Sequence, residues 1–174
     1  MVDMGLGMLA NADVCFKRKY RWMFTIYGIA GIGEEVGINA LPPQRTSRPS
    51  LTFKEMEVNH VVETVYYPSK PDWKPINLTL YDIKRKEHPI FAWIKNIYNP
   101  ADDYVGETWK PVMSEGFKKP ATLALYDGCG NVLERWIFTN AWPLSSEFGE
   151  LDMNNSEVVV CDLTLRYDRA YIES

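Results

Sequence analysis

The feature that most constrains this chain is a strict alternation of apolar and polar residues near its C-terminus. In Ser156–Asp168, thirteen residues reading SEVVVCDLTLRYD, one set of alternate positions is mostly apolar: Val159, Cys161, Leu163, Leu165 and Tyr167. A period of two places these side chains on one face of a β-strand and the intervening side chains on the other. At ~3.3 Å per residue the segment would span about 43 Å, which is expected of a barrel wall or of an edge shared between subunits.

Most of the remaining chain also shows strand patterns. Alternating apolar positions or β-branched and aromatic residues predict strands over Phe16–Tyr27 and Ile76–Ile83, and one strand or a hairpin over Leu51–Tyr67. Ala121–Thr139 contains two such patterns around DGCGN, which predicts a hairpin with a five-residue turn. Only His88–Tyr98 has a helical period, with a proline suited to its first turn. The sequence therefore predicts a mainly β protein with one helix.

Three stretches rich in proline or glycine are predicted to lack regular structure: Leu41–Ser50, Pro68–Pro75 and Ala101–Pro120. No internal repeat or linker divides the chain. A length of 174 residues is enough for one domain with a substantial core, so residues 1–174 are expected to form a single domain.

Charge and hydropathy exclude several classes of protein. The formal net charge of −4 gives no overall basic field for binding nucleic acid. No apolar run approaches the roughly 18–20 residues that cross a bilayer, and at the N-terminus the positive charges follow the apolar stretch instead of preceding it. We therefore expect neither membrane insertion nor a signal peptide. Cys15, Cys129 and Cys161 are scattered without a C-x-x-C pair, so neither a disulfide framework nor a zinc site is expected.

A glycine-rich stretch after the first predicted strand resembles a dinucleotide-binding loop only superficially. Its glycines are Gly28, Gly31, Gly33 and Gly37. The spacing has one residue too many for G-x-G-x-x-G, and two glutamates would stand beside the phosphates. The proline-rich segment that follows cannot form the crossover helix. We interpret the stretch as a turn between two strands.

No catalytic, cofactor or metal site is expected. His60 and His88 are the only histidines, and neither has a ligand partner at a recognised spacing. No G-x-S-x-G motif is present to support a serine nucleophile. The adjacent carboxylates Glu34-Glu35 and Asp102-Asp103 lie in predicted loops and are interpreted as solvated charges. The chain is therefore predicted not to be an enzyme.

Two clusters of opposite charge are candidates for contacts between copies of the chain. The basic cluster consists of Lys17, Arg18, Lys19 and Arg21, and the acidic cluster consists of Glu147, Glu150 and Asp152. Such complementarity sets the register between subunits more than the affinity. Six tryptophans, ten tyrosines and seven phenylalanines also exceed the needs of a small β core, and aromatic residues are enriched at the centres of interfaces.

The order of several short segments resembles a known family. It includes NALPP after the first strand, DWKPINLTLYD, the FAWI helix, and a closing hairpin, NAWPLSSEFGELDMNNSEVVVCDLTLRYD. Trp142-Pro143, Gly149-Glu150-Leu151 and the end of the last long strand carry most of the likeness. Over roughly Phe16–Tyr171 the chain resembles the tail tube protein of contractile-tailed bacteriophages, whose fold is shared by the ring protein of bacterial type VI secretion.

The resemblance implies a fold and an assembly. The expected fold is two packed antiparallel β-sheets, a sandwich or barrel, with one flanking helix. Six copies would close into a ring, and rings would stack into the inner tail tube through which the genome is ejected. The implied partners are further copies of the chain and the sheath, baseplate and tape-measure proteins, with DNA passing transiently and without specific binding. The implied location is the virion tail tube, reached from the host cytoplasm during assembly, with no cofactor.

The resemblance also implies roles for particular segments. Residues 1–15 would form an N-terminal arm, and residues 41–58 an extended loop that reaches the adjoining ring through Arg45, Arg48 and Lys54. Asp162, Thr164 and Asp168 would face the lumen if their side of the last strand is the inner one. Two alternatives within the fold are a type VI secretion ring protein and a baseplate-proximal tube ring. An alternative from another class is a monomeric β-barrel module that binds a ligand.

Overall fold

The computed structural model describes residues 17–29, 41–84, 88–98 and 116–173. In these residues the chain forms strands and one helix, in the order β1 (Trp22–Ile26), β2 (Pro43–Thr46), β3 (Leu51–Asn59), β4 (Thr64–Trp73), β5 (Ile76–Tyr81), α1 (Pro89–Lys95), β6 (Lys119–Tyr126), β7 (Val132–Glu147), β8 (Val160–Arg166) and β9 (Arg169–Ile172). The prediction of a mainly β fold with one helix is confirmed for the described part of the chain.

The sixteen-residue strand β7 organises the main sheet. Its first part pairs antiparallel with β6 and β9, and its last part pairs antiparallel with β8. Between the two parts, Asn140 has a φ of 57°, a left-handed value that asparagine tolerates better than most residues. The seven-stranded sheet therefore consists of two antiparallel halves, β1-β6-β7-β9 and β7-β8-β5-β2.

Both halves contribute to one hydrophobic core. Phe138 on β7 contacts Phe24 on β1, with ring centroids 5.7 Å apart, and Tyr167 after β8, with centroids 5.0 Å apart. The fully buried side chains with the largest volumes are those of Trp93, Phe138, Ile26, Ile76, Leu78, Leu80, Ile90, Leu123, Leu163, Leu165 and Cys161. The expectation of two antiparallel sheets with a flanking helix is thus met. Within the described residues the sheet does not close into a barrel, because β1, β2 and β9 each have a neighbouring strand on one side only.

Helix α1 packs through a different set of residues than its pattern predicted. The predicted stripe included Ile90, Phe91, Ile94 and Ile97, but Phe91 is exposed while Ile90 and Trp93 are completely buried. The Trp93 indole N–H donates a hydrogen bond of 2.6 Å to the Phe117 carbonyl, which satisfies the one polar group of this side chain. His88 is the N-cap and a proline occupies the first turn, as the sequence indicated.

The long C-terminal strand is shorter than predicted. Its inward face is correct, because Cys161, Leu163, Leu165 and Tyr167 are buried. Regular pairing, however, begins only at Val160, since the neighbouring strand β5 ends at its partner Tyr81. The longest strand of the described residues is instead β7. The residue pattern predicted a strand only up to Thr139, but the second half of β7 pairs with β8 as the closing hairpin implied by the family resemblance.

Two of the predicted loops contain strands. Pro43–Thr46 forms the short edge strand β2, and Pro68 and Pro71 lie inside β4. Proline lacks an N–H donor but is compatible with a strand that has one unpaired edge, and β4 pairs only with β3 among the described strands. The third predicted loop includes Lys119-Pro120, the start of β6, while residues 101–115 lie outside the described residues.

The predicted hairpin and part of the glycine-rich turn are present. Asp127 and Asn131 close the turn between β6 and β7, where the Asp127 carboxylate accepts hydrogen bonds from the backbone N–H groups of Cys129 (2.7 Å) and Asn131 (2.8 Å). Gly28 follows β1 with a φ of 76°, as a tight turn requires. Residues 30–40, which include the other three glycines of that stretch, and residues 1–15 lie outside the described residues.

Candidate functional site

A two-stranded hairpin, formed by β3 and β4, stands apart from the main sheet and is the candidate assembly surface. Its pairing runs from Leu51 opposite Trp73 at the base to Asn59 opposite Thr64 near the tip. The turn is closed by a hydrogen bond of 2.8 Å from the His60 N–H to the Glu63 carbonyl. Nine residues of β3 at ~3.3 Å each make the hairpin about 30 Å long.

The outer half of this hairpin is amphipathic. Residues paired across a ladder lie on the same face, so Met56, Tyr67, Val58 and Val65 form one apolar face. The opposite face is mostly polar and carries Glu55, Glu57, Asn59, Thr64 and Tyr66. Met56 and Tyr67 are about half exposed, so no described residue covers the apolar face completely. We call this surface the hairpin face.

The hairpin ends in two uncovered valines. Val61 and Val62 have relative exposures of 104% and 95% and lie in the turn itself. We call residues 60–63 the hairpin tip. Single exposed apolar residues are common on protein surfaces, but two adjacent fully exposed valines beside an apolar face indicate a contact surface.

The three cations predicted for contacts between rings lie on or near this hairpin. Lys54 is exposed on β3, Arg45 is exposed on β2, and Arg48 is exposed in the connection between those strands. Arg45 is paired with Thr79 of β5, so it belongs to the edge of the main sheet and not to the hairpin. The segment predicted as an extended loop, residues 41–58, is therefore largely β2 and β3.

One member of the basic cluster is engaged within the chain. The Lys17 ammonium forms an ion pair with Glu134, which is only 8% exposed, and the Trp136 indole N–H donates to the same carboxylate. Burial alone would raise the pKa of Glu134, but the groups of Lys17 and Trp136 and the nearby charge of Arg48 bring that pKa below its ordinary value. Lys17 therefore anchors the segment before β1 to the body of the protein.

The other basic residues are more accessible. Arg18 and Lys19 are exposed, and the Arg21 guanidinium lies 5.3 Å from the centre of the Tyr20 ring. The Arg21 carbonyl accepts a hydrogen bond of 2.9 Å from the Tyr126 N–H, which places the cluster next to the turn before β7.

The acidic cluster lies at the other end of β7. Glu147 is the last residue of that strand, and Glu150 and Asp152 are exposed in the segment that follows it. Within residues 17–29, 41–84, 88–98 and 116–173, no ion pair joins the basic and acidic clusters. The two clusters are thus separated along one long strand.

Two residues of the predicted lumen face form a polar ladder. Thr79 of β5 donates its hydroxyl to the Asp162 carboxylate, and the Thr164 hydroxyl donates to the Asn77 side chain at 3.1 Å. These pairs lie on the side of β5 and β8 opposite to the buried leucines. The structure therefore brings Asp162 and Thr164 together on a polar outer face.

Asp168 is located elsewhere. Its carboxylate accepts hydrogen bonds from the Asn140 amide at 2.7 Å and from the Lys118 ammonium at 3.3 Å. The Asn140 hydrogen bond, with a smaller contribution from Lys118, holds the pKa of Asp168 below its ordinary value. Asp168 fastens the bend of β7 and does not lie in the ladder with Asp162.

An open cleft of about 690 Å³ lies beside the base of the hairpin. Its lining is Pro71, Asp72, Trp73, Ile97, Phe117, Lys118, Trp142, Arg166, Tyr167 and Asp168. Trp73 and Trp142 pack against the core and leave part of their rings open to the cleft. Arg166 and Asp72 form an ion pair of 3.4 Å at its rim. Burial raises the pKa of Tyr167 to about 12. We call this feature the base cleft.

The described residues contain no group of three or more His, Cys, Asp or Glu side chains arranged to hold a metal ion. None of the described segments forms a helix with the length and apolar character needed to cross a membrane.

A sequence model of the family described as T4-like virus tail tube protein gp19 matches residues 44–171. The chain belongs to this family. The matched residues include the hairpin, α1 and most strands of the main sheet, with β1 outside the match, so the resemblance predicted from the short sequence segments is confirmed. The family is one of structural tube proteins and not a class of enzymes. A search of curated proteins found no match.

Several solved structures share the fold of this tail tube family member. A chain from the PVC sheath–tube complex of an extracellular contractile injection system, in the extended state, is 19% identical with a TM-score of 0.64 and covers 98% of each chain. A chain from the cap that terminates the anti-feeding prophage tube is 21% identical with a TM-score of 0.65 and covers 94% of each. Hcp1 from Flavobacterium johnsoniae is 12% identical with a TM-score of 0.51, covering 88% of this chain and 94% of its own.

The sequence reasoning missed the two surfaces that define the site. The apolar hairpin face was not predicted, because it combines residues of β3 and β4. The register between two strands cannot be read from the sequence of either strand alone. The base cleft brings together residues from five separate parts of the chain. The one available signal was Val61-Val62 between polar residues, which is unusual for a turn.

Proposed function

We propose that this chain is the structural subunit of a tail tube, in which six copies close into a ring and rings stack into the conduit for genome ejection. The chain's membership of the tail tube family supports a structural role in a tube. The observation that carries the assembly proposal is the uncovered apolar face and tip of the hairpin. A surface of this kind is stable in water when another protein surface covers it.

Ring closure would use the edges of the main sheet and the charge clusters. β1 and β2 have unpaired edges among the described strands, and such edges pair readily with another chain. Arg18, Lys19 and Arg21 of one copy would face the acidic cluster of the next copy. Because the clusters lie at opposite ends of β7, this contact is head-to-tail and continues from copy to copy until a ring closes.

The hairpin would provide the contacts between rings, together with Arg45, Arg48 and Lys54, and residues 1–15 would form an additional arm. The polar ladder of Asp162 and Thr164 would line the lumen, since exposed carboxylates and hydroxyls do not retain DNA. Asp168 would contribute to the lumen indirectly, by fastening the bend of β7 and so holding the strands that carry Asp162 and Thr164 in place. Sheath, baseplate and tape-measure proteins would be the remaining partners. Assembly would occur in the host cytoplasm, and the product would be the tail tube of the virion.

A second candidate is the tube of a contractile injection system without a genome. Chains from two such systems, the PVC sheath–tube complex and the anti-feeding prophage, match this chain over 94–98% of its length, which favours this candidate over the type VI ring protein. A baseplate-proximal ring of the same fold is a variant of the first candidate. Antibodies against this chain, applied to particles from the producing cells, distinguish the two. Labelled tubes joined to DNA-filled heads support the virion tube, and labelled tubes without heads support the injection system.

Assembly itself is tested with the purified full chain. Light scattering after size exclusion should give six times the subunit mass of 20.1 kDa or larger species, and negative-stain electron microscopy should show six-fold rings or tubes. If the protein remains a 20.1 kDa species at high protein concentration, in low-salt and in ordinary buffer, the proposal is overturned and the monomeric binding module is favoured.

A further inference from the structure

The valines of the hairpin tip are not explained by turn chemistry. Tight hairpin turns favour Asn and Gly, because their central residues often require a positive φ that β-branched residues avoid. Among the described non-glycine residues only Asn140 has a positive φ, so Val61 and Val62 make the turn without that conformation. Nothing in the geometry of the bend therefore requires valine, and neither valine is buried within the described chain. Their apolar character indicates a partner.

The base cleft has the complementary properties. Its walls include the open parts of Trp73, Trp142 and Phe117, which are apolar and held in place by the core or by neighbouring backbone. Its volume of about 690 Å³ lies within the range of sites that enclose a small group of side chains. The tip cannot reach the cleft of its own chain, because β3 and β4 hold the two about 30 Å apart.

We propose that the hairpin tip of one copy inserts Val61 and Val62 into the base cleft of a second copy. This inference rests on the proposed self-assembly and adds the receiving site. The apolar surfaces of the tip and of the cleft carry this proposal. Glu63 follows the valines directly, and the cleft holds two balanced ion pairs, Lys118 with Asp168 at 3.3 Å and Arg166 with Asp72 at 3.4 Å.

The geometry of this contact predicts a linear repeat. The tip and the cleft are different surfaces at opposite ends of one hairpin, so the contact is heterologous and each docked copy leaves a free tip and a free cleft. Copies joined in this way are displaced by about one hairpin length, roughly 30 Å, along a common direction. The contact therefore stacks copies and does not close a ring.

Photo-crosslinking of the full chain tests the contact directly. The substitution Val62→p-benzoylphenylalanine places a short-range crosslinker at the tip, and the crosslinked peptides are mapped by mass spectrometry. We expect crosslinks between copies to Trp73, Phe117 or Trp142. If rings or tubes form but the crosslinks map to other surfaces, the docking is wrong while the proposed tube function stands. If the protein is monomeric and no crosslinks between copies form, both are wrong.

A pair of matched variants tests the consequence for assembly. Val62→Asp places a charge at the tip, and Val158→Asp makes the same change at an exposed position outside the strands. We expect Val62→Asp to retain ring-sized species and to reduce the fraction of stacked species at least tenfold, while Val158→Asp assembles like the parent chain. Equal stacking by the two variants would overturn the proposal.

Discussion

Two glycines with similar backbone conformations provide a test of how the acidic end of β7 is connected to β8. Gly149 has a φ of 79° and Gly130 has a φ of 90°, so both lie in the left-handed region that other residues rarely adopt. Their surroundings differ. A Cβ added to Gly149 would lie 2.5 Å from the Val160 carbonyl oxygen, whereas a Cβ added to Gly130 has nothing within 4 Å. Alanine at the two positions therefore separates backbone strain from close packing.

The expected losses of stability can be worked out from these distances. At Gly130, alanine costs about 1–2 kcal/mol for a left-handed conformation, and the reduced freedom of the unfolded chain offsets about 0.4–1 kcal/mol of it. The net loss is about 1 kcal/mol. Gly149→Ala has the same strain and in addition must displace a backbone carbonyl at the first paired residue of β8. Overpacking of this kind typically costs about 1–3 kcal/mol, so the total is about 2–4 kcal/mol.

Urea unfolding at one low subunit concentration measures both variants under conditions in which self-association does not contribute. We expect Gly149→Ala to lower the urea concentration at the unfolding midpoint clearly more than Gly130→Ala. The slope of the free energy of unfolding against urea concentration should be unchanged in both variants. Equal midpoints for the two variants would show that the segment before β8 adapts without cost. The packing of Gly149 against Val160 would then not determine where β8 begins.

Three further predictions concern charge, thiols and acid stability. Glu147→Lys should weaken ring formation by light scattering and Lys19→Glu in the same chain should partly restore it; failure of the double variant to recover would exclude a contact between these clusters. Alkylation mapped by mass spectrometry should modify exposed Cys129 within minutes and spare Cys161 in the folded protein, because burial raises the pKa of Cys161 to about 11; equal labelling would contradict that burial. The lowered pKa of Asp168 means that its contribution to stability is present above the ordinary aspartate pKa and is lost as the pH falls through the lowered value, so Asp168→Asn should reduce the acid sensitivity of the unfolding midpoint below about pH 4. An unchanged acid dependence would show that the carboxylate is not coupled to folding.

The direction of each side chain was more predictable than the length of each strand. Alternation assigned the buried face of β8 correctly, since burial is decided by each residue's own position in the pleat. The start of β8 depends instead on where the neighbouring strand β5 ends, which is a property of the fold and not of the segment. The five-residue turn after β6 was predictable because its hydrogen bonds are local to Asp127 and Asn131.

Proline was the main source of error in the predicted strands. The rule that proline interrupts a sheet applies to strands with neighbours on both sides. In β4, Pro68 and Pro71 lie in a strand with one described neighbour, on either side of a shift of register opposite Phe53 and Glu55. Pro143 lies in β7 next to a shift of register between Pro143 and Ser145. Neither situation can be recognised before the number of neighbours of each strand is known.

The sizes of the proposed contacts determine the order of assembly. Burying two valine side chains contributes about 1.5–3 kcal/mol each, so one tip in one cleft gives about 3–6 kcal/mol before ordering costs. Association of two copies costs about 4–15 kcal/mol of translational and rotational freedom, which one tip does not offset. If six copies close into a ring, however, six tips contact the next ring at the same time. The loss of translational and rotational freedom is then incurred once for all six contacts. Stacking should therefore depend on prior ring closure, and isolated subunits should not form linear chains through their hairpins alone. A variant that blocks ring closure at the charge clusters should consequently remove stacked species as well, even though its tip and base cleft are unchanged.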